Sequence, residues 1–275
     1  MLTYRDLLDE SAHRIELRDA QGLLAHVSGR DRTWLFAHPE APAEQATAAR
    51  FRDLCTRRAA GEPLQYLTGV QEFYGLALRV TPDVLIPRPE TEHLVEAVEL
   101  WATQLESGEL LQMADVGTGS GAIAIALATH VGHVRLTAID HSAAALAIAR
   151  ENAQAHSCAD RITFLENDLL SGIPAHSFDA VVSNPPYIPS GDAATLQREV
   201  VAHEPHTALF AGDDGLDVYR RLIPQAHNAL KPHGLLALEF GFGQRDALAE
   251  LLAGWTDVRF LDDYAGIPRV VLAKR

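Results

Sequence analysis

Asn184-Pro185-Pro186-Tyr187 sets a carboxamide ahead of a stiff turn and an aromatic ring behind it. Each proline fixes its own φ and restricts the residue before it. Asn184 offers a side-chain carbonyl oxygen, and the neighbouring Pro185 carbonyl offers a second acceptor. Two acceptors beside a ring can hold a flat NH2 group by both its hydrogens. Such an arrangement suits chemistry on an amide nitrogen or on the exocyclic amine of a base. An Asx-Pro turn closing a strand would use the first two residues alone. The whole tetrapeptide, placed after an apolar run and downstream of a ligand-binding loop, favours the chemical reading.

That loop is Asp115-Val116-Gly117-Thr118-Gly119-Ser120-Gly121. It follows a short apolar run and precedes Ala122-Ile123-Ala124-Ile125-Ala126-Leu127-Ala128, which reads as a buried helix. Strand, glycine loop and helix form the layout used for nucleotide-type ligands, where glycines permit a tight turn and close approach of backbone to ligand. Asp140 ends the next apolar run, about twenty residues on, where an acidic side chain can take both hydroxyls of a ribose. The Gly117-x-Gly119-x-Gly121 spacing differs from the dinucleotide fingerprint, and no Lys-Ser/Thr ending makes it a phosphate-binding P-loop.

The elements that must position these residues follow from periodicity. Residues 1–75 repeat apolar positions at helical spacing: Leu7, Leu8, Ala12 and Ile15, then Ala20, Leu23, Leu24 and Val27, then Phe51, Leu54 and Cys55. Pro39 and Pro42 interrupt them, which predicts a small helical domain. Residues 76–93, rich in apolar side chains and proline, read as an extended or hairpin linker. Residues 94–275 alternate strands and helices. Strands are expected at 111–116, 134–139, 162–166, 178–183, 234–240, 257–261 and 268–273. Helices are expected near 91–106, 120–130, 142–155, 215–230 and 244–253. The alternation predicts an α/β fold, a doubly wound, mostly parallel seven-stranded sheet. A short link containing Gly266 and Pro268 makes the last two strands antiparallel.

Composition narrows the class. The chain has 275 residues and a formal net charge of −14. Residues 1–80 carry ten basic and eleven acidic side chains; the remainder carries thirteen and twenty-six. Binding long nucleic acid through its phosphates calls for a basic surface, so no direct nucleic-acid partner is expected. Arg50, Arg52, Arg57 and Arg58 form the one dense basic cluster, either a solvated helix face or a docking patch. No apolar run is long enough to span a bilayer, and Met1-Leu2-Thr3-Tyr4-Arg5-Asp6 has no signal-peptide pattern. Cys55 and Cys158 have neither metal-ligand spacing nor a disulfide framework, and the histidines form no metal motif. A cytoplasmic monomer with no metal and no membrane contact is the expectation.

Together these stretches resemble a known family. The 115–121 loop resembles motif I of class I S-adenosylmethionine-dependent methyltransferases, and Asn184 to Tyr187 resembles their amino-methylating signature. Gly61-Glu62-Pro63-Leu64-Gln65-Tyr66, Leu85-Ile86-Pro87-Arg88-Pro89-Glu90-Thr91-Glu92, and Glu204-Pro205 with Ala208-Leu209 and Gly212-Asp213-Asp214-Gly215 resemble the peptide chain release factor glutamine N5-methyltransferases. The resemblance covers nearly the whole chain. It departs at Leu169, where some members carry an aromatic residue, and at Phe210-Ala211-Gly212, where a double glycine is more usual.

The resemblance implies roles. Gly117, Thr118, Gly119, Ser120 and Gly121 would wrap the methionine part of S-adenosylmethionine, and Asp140 would take its ribose. Asp168 and Leu169 would border the adenine. Asn184 and Pro185 would accept the two hydrogens of a glutamine amide, Pro186 would stiffen the loop, and Tyr187 would flank the amide plane. Arg88 and Glu90 either stand at the mouth of the substrate cleft or only begin a helix. Glu239 either faces the pocket or merely ends a strand. The implied products are N5-methylglutamine, in the Gly-Gly-Gln loop of a release factor, and S-adenosylhomocysteine. Helical residues 1–75 would dock the factor. Two alternatives stay open on residues alone: an adenine-N6 methyltransferase of DNA or RNA, and a non-catalytic release-factor binding protein.

Overall fold

A computed structural model describes residues 2–105 and 109–275. Residues 1 and 106, the first of the expected helical domain and the last of an expected helix, lie outside the described residues. The chain divides into two compact units, Met1–Val70 with Gln197–His203, and Gln71–Leu196 with Glu204–Arg275.

The first unit is helical. Its helices are α1 (Tyr4–Ser11), α2 (Leu17–Ser28), α3 (Arg32–Ala37), α4 (Gln45–Ala59) and α5 (Leu64–Thr68). Thr3 and Asp6 close a reciprocal capping box at the start of α1, which satisfies two otherwise orphaned backbone donors. Leu7, Ala20, Leu23, Leu24, Phe51, Leu54 and Cys55 are buried together, as their spacing predicts. Ala12 is an exception: it caps α1 and is exposed.

The basic cluster on α4 is largely neutralised within this unit. Arg52 makes a two-pronged pair with Glu10, and Arg57 another with Glu62. Arg58 bonds to Asp19 at 2.7 Å and to Glu199 at 2.5 Å. Glu199 lies on a short helix (Arg198–His203) that the chain contributes from far downstream. Periodicity could not assign that segment to the helical unit, because its partners are more than a hundred residues away. The unit also ends at Val70, short of the boundary at 75.

The second unit opens with β1 (Val70–Phe73) and β2 (Leu76–Arg79), a two-stranded hairpin. Tyr74 and Gly75 turn it with positive φ at both positions, the backbone that matches strand twist. A 3-10 turn at Pro89–Thr91 leads into α6 (Glu92–Thr103). The main sheet then comprises β3 (Leu111–Val116), β4 (Val134–Asp140), β5 (Ile162–Glu166), β6 (Phe178–Ser183), β7 (Leu230–Glu239), β8 (Thr256–Asp262) and β9 (Pro268–Lys274). Its order is β5-β4-β3-β6-β7-β9-β8. The β3, β4, β5, β6 and β7 pairings are parallel; β9 runs antiparallel to both β7 and β8. Helices α7 (Ala122–His130) and α8 (Ala143–Ala155) follow β3 and β4. After the 198–203 helix, α9, come α10 (Asp217–Ala229) and α11 (Arg245–Leu251).

One strand begins earlier than its pattern suggests. A strand is expected at 234–240, yet it starts at Leu230 and the register against β6 shifts, from Phe178↔Leu230 to Ala180↔Leu235. His233 takes a left-handed φ of 63°, so residues 231–234 bulge out of a strand that continues through them. Both faces of the sheet are covered. Ala122 to Ala128 are all buried against one face, while Tyr219, Leu222, Ile223 and Phe240 fill the other.

Candidate active site

The chain runs from β3 outward to β4 and from β6 in the other direction to β7. That reversal opens a crevice beyond the carboxyl ends of β3 and β6, where open α/β sheets bind ligands. The Ser183 hydroxyl, at the end of β6, donates to the Val116 carbonyl at 2.6 Å. The glycine loop and the Asn184 loop therefore leave the sheet side by side.

Gly117 and Gly119 take φ of 75° and 55°, in the region that favours glycine. A Cβ on either would meet nothing within 4 Å, so this stretch presents bare backbone to open space. Gly121 differs. A Cβ there would come within 2.9 Å of Ile125 Cδ1 and 3.1 Å of Ala149 Cβ, so its role is close packing of α7 against α8. Buried Asn152 on α8 supports the loop by donating to the Ser120 carbonyl and the Arg79 carbonyl, each at 2.9 Å.

Two acids flank this loop. Asp115 Oδ2 accepts the Thr118 hydroxyl at 2.6 Å and the Ala124 amide at 3.1 Å. Its Oδ1 is buried with no hydrogen-bond partner. Burial pushes the Asp115 carboxyl up to about 7, against the pull of Thr118 and Ala124, and the like charge of Asp140 adds to the rise. Asp140 ends β4; its Oδ2 accepts the Gly119 amide and its Oδ1 the Ser142 amide, each at 2.9 Å. A carboxylate has about four lone-pair sites, so Asp140 retains acceptors for a diol.

Asn167 follows β5 and donates its amide to the Asp140 carbonyl at 3.0 Å. Asp168 is exposed and pairs with Arg221 on α10 at 2.5 Å. Leu169 takes a left-handed φ of 51° and packs against the second core. Of these three, Asn167 makes the backbone link to Asp140.

The Asn184 loop is held by segments remote in sequence. Asn184 Nδ2 donates to Thr91 Oγ1 at 3.0 Å. Pro185 is buried, and Pro186 and Tyr187 are partly so. Gln244 Nε2 donates to the Tyr187 carbonyl at 2.9 Å while its Oε1 accepts the Gly241 amide at 3.0 Å. A Cβ on Gly215 would overlap the Tyr187 carbonyl oxygen. Ile188 pairs with the 209–211 segment through its amide to Leu209 and its carbonyl from Ala211, both at 3.0 Å. The Gly212-Asp213-Asp214-Gly215 stretch thus follows directly on the segment that braces the loop.

Arg88 donates to Glu204 Oε1 at 2.5 Å, and the Ile86 amide donates to Glu204 Oε2 at 3.3 Å. Glu204 is buried. Glu90 stays exposed within the 3-10 turn, and its charge acts on both Tyr187 and Glu239. Segment 88–92 therefore both begins a helix and borders the loop. Glu239, the last residue of β7, is only 1 % exposed, and its Oε2 has no hydrogen-bond partner. Burial pushes its carboxyl up to about 7, against the pull of the Thr91 hydroxyl, Arg269 and Tyr187. Glu239 does end a strand, and it is also a buried acid at that end. Asn152 and Gln244 stand in none of the motif stretches singled out in the sequence, and only their long-range contacts reveal them; Thr91 and Glu204 lie in such stretches, but their contacts come from far along the chain.

Comparison with known proteins fits this geometry. Residues 91–211 match the Methyltransferase small domain family, and residues 3–69 match the PrmC N-terminal domain family. The chain is 42% identical to the release factor glutamine methyltransferase of Koribacter versatilis over 100% of its own length and 99% of that protein's. It is 44% identical to the protein of that name from Moorella thermoacetica, with the same coverage. For the Escherichia coli (strain K12) protein of that name, the figures are 41% identity over 94% of this chain and 91% of the other. Among solved structures, the hMettl16 catalytic domain superposes with a TM-score of 0.58 at 17% identity, covering 84% of this chain and 82% of that one. At that identity the likeness concerns the fold.

Proposed function

Because the chain belongs to the release factor glutamine methyltransferase family, we propose that it methylates the side-chain amide nitrogen of a glutamine in a peptide chain release factor. Full-length similarity to several proteins of that name supports this reading over the adenine and the non-catalytic alternatives. The observation that carries it at the site is the Asn184 amide. Its NH2 is occupied by Thr91, which leaves Oδ1 as the group offered to a substrate N–H.

S-adenosylmethionine is the cofactor this family's chemistry implies, and it supplies an electrophilic methyl group on a sulfonium. The residues present fit it. Asp115 Oδ1 is a buried acceptor without a partner, suited to an ammonium. Gly117 and Gly119 present backbone to open space, and Asp140 keeps acceptors for a ribose diol. Asp168 and Leu169 border the same end of the sheet, with the adenine contact proposed for Leu169.

A primary amide is a weak nucleophile, because its lone pair is delocalised into the carbonyl. Asn184 and Pro185 oxygens, accepting both N–H bonds, stabilise the positive charge that grows on nitrogen during attack, the counterpart of an oxyanion hole. Tyr187 lies against the flat amide and, with Pro186, restricts water. Alignment of nitrogen with the methyl–sulfur bond is worth up to ~7–11 kcal/mol in favourable cases. With S-adenosylmethionine bound, transfer of its methyl group would leave the amide nitrogen cationic, and that nitrogen would then lose one proton to solvent.

The glutamine must sit on a protruding, glycine-rich loop to enter the crevice, which suits a Gly-Gly-Gln sequence. The helical unit is the surface proposed to recognise the rest of the factor. No helix among the described residues is long and apolar enough to cross a membrane, and a cytoplasmic setting follows from the substrate. Incubating the protein with intact release factor and isotopically labelled cofactor tests the reading by peptide mass spectrometry. One labelled methyl on the Gly-Gly-Gln glutamine is expected; label on nucleic acid, or on no molecule, refutes it.

A further inference from the structure

We propose that Glu204 and Arg88 are positioning residues for methyl transfer: their ion pair closes a ring of hydrogen bonds around the Asn184 loop and so sets the place of its carboxamide. The inference rests on Asn184 accepting a substrate N–H, as proposed above.

The loop is held at its two ends by different segments. At one end, Thr91 Oγ1 accepts Asn184 Nδ2 at 3.0 Å. At the other, the Ile188 amide donates to the Leu209 carbonyl, and the Ala211 amide donates to the Ile188 carbonyl, both at 3.0 Å. Thr91 and Leu209 are far apart in the chain, and Glu204 links their segments. Its Oε1 accepts the Arg88 guanidinium at 2.5 Å, and its Oε2 accepts the Ile86 amide at 3.3 Å.

From Glu204 the ring runs both ways in short steps. Toward Asn184, the Arg88 carbonyl accepts the Thr91 amide at 3.1 Å, within the 3-10 turn. Pro87 and Pro89 fix φ on either side of Arg88, so a shift of Arg88 carries Thr91 with it. Toward Ile188, the Pro205 carbonyl accepts the Ala208 amide at 2.9 Å, and the His206 carbonyl accepts the Leu209 amide at 3.1 Å. The turn that begins beside Glu204 therefore ends on the residue that holds Ile188.

The pair is ill suited to cohesion alone. The Glu204 side chain is 1% exposed, that of Arg88 31%. Burying a carboxylate is costly, and a well-packed apolar pair is often as stable or more so. An apolar pair lacks direction, however. Glu204 grips a guanidinium and a backbone amide two residues apart, which sets the register of segment 86–91 against segment 204–211. With its guanidinium turned to Glu204, Arg88 supports the loop and does not contact the substrate. The two acids of the cofactor loop are held outside this ring, Asp140 by the Gly119 and Ser142 amides and Asp115 by Thr118 and Ala124. Loss of the pair should therefore act on turnover and spare cofactor binding.

Steady-state kinetics of the full chain on intact release factor, with calorimetry of S-adenosylmethionine binding, test the ring. Arg88→Met should lower kcat roughly ten- to hundred-fold, the scale of a small misplacement at a reacting centre. KM for the factor and cofactor Kd should change little, the pattern of an interaction lost in the transition state. Glu204→Gln should fall comparably. Arg88→Lys, which can still donate to Glu204 Oε1, should recover most of the loss. The double variant Arg88→Met/Thr91→Val should be little worse than Thr91→Val, because both changes break one ring. Arg88→Met/Glu204→Met leaves no buried charge unpaired, so it keeps the test open if a single variant fails to fold. It should bind cofactor like the wild type and show the same loss of kcat. Wild-type kcat in that paired variant, additive losses with Thr91→Val, or a raised KM at unchanged kcat in Arg88→Met would each overturn the proposal. The last result would make Arg88 a substrate contact. Should the wild-type protein leave release factor unmodified, or Asn184→Ala act at full rate, the functional reading itself fails, and the two failures are told apart.

Discussion

A Cβ placed on Gly241 would stand 2.8 Å from Cδ2 of Tyr187. The ring beside the Asn184 loop therefore rests on bare backbone two residues past the end of β7. Gly241 has no left-handed φ, so alanine is allowed conformationally and fails only by contact. Gly241→Ala should displace the Tyr187 ring, with an overpacking cost of about 1–3 kcal/mol. Urea unfolding measures that cost, and kcat on release factor should fall with it. An unchanged kcat would show that the ring position is not critical.

Asn184→Ala removes an acceptor used most strongly as charge develops on nitrogen. Its kcat should fall by roughly 10²–10³, about 3–4 kcal/mol, while cofactor affinity by calorimetry stays near that of the parent. Near-normal turnover would remove this loop from the chemistry.

Asp140→Ala acts on binding. Hydrogen bonds to a charged acceptor are worth about 1.5–3 kcal/mol, so S-adenosylmethionine affinity should weaken by that order. The variant also frees the Gly119 and Ser142 amides that Asp140 now holds, and hydrogen exchange at these two amides should quicken. Unchanged calorimetric affinity would place the ribose elsewhere.

Asp115 and Glu239 couple stability to pH. Burial raises both from ordinary values of 3.8 and 4.5 to about 7. The folded protein thus holds these protons more tightly than the unfolded chain. Their contribution is most favourable below about pH 4 and is lost as pH rises to about 7. Asp214, held down to about 2 by Arg220, works in the opposite direction but only below that window. Urea midpoints between about pH 4.5 and 7.5 should carry this falling component. Asp115→Asn or Glu239→Gln should flatten it; an identical pH slope in both variants would contradict the raised carboxyl groups.

The residues that announce themselves in the sequence are those whose neighbours lie next to them in the chain. The glycine loop, Asp140 and the Asn184 loop each sit at a strand end, and a period of two followed by a helical period locates that end. What holds them is hidden for the opposite reason. Thr91, Asn152, Glu204 and Gln244 act across tens to more than a hundred residues; Asn152 and Gln244 leave no pattern, and the stretches that hold Thr91 and Glu204 do not show what those two side chains touch. Glu239 is the strand terminus its position suggests, but sequence gives that position and not its burial. The early start of β7 was masked by Pro232 and Gly234, which mark a turn in most contexts and here mark a bulge.

The helical unit is not one continuous stretch of chain, and this constrains the ways it can change. Arg58, encoded early, pairs with Glu199, encoded after the Asn184 loop. A recombination event that exchanged the first seventy residues as a cassette would bring a new partner to an old Glu199 and leave the 198–203 helix facing a foreign surface. Inheritance of the front of the gene is tied to a short passage in its middle. The docking role proposed for this unit is thereby expected to diversify by paired substitutions in both places and not by the shuffling of whole modules.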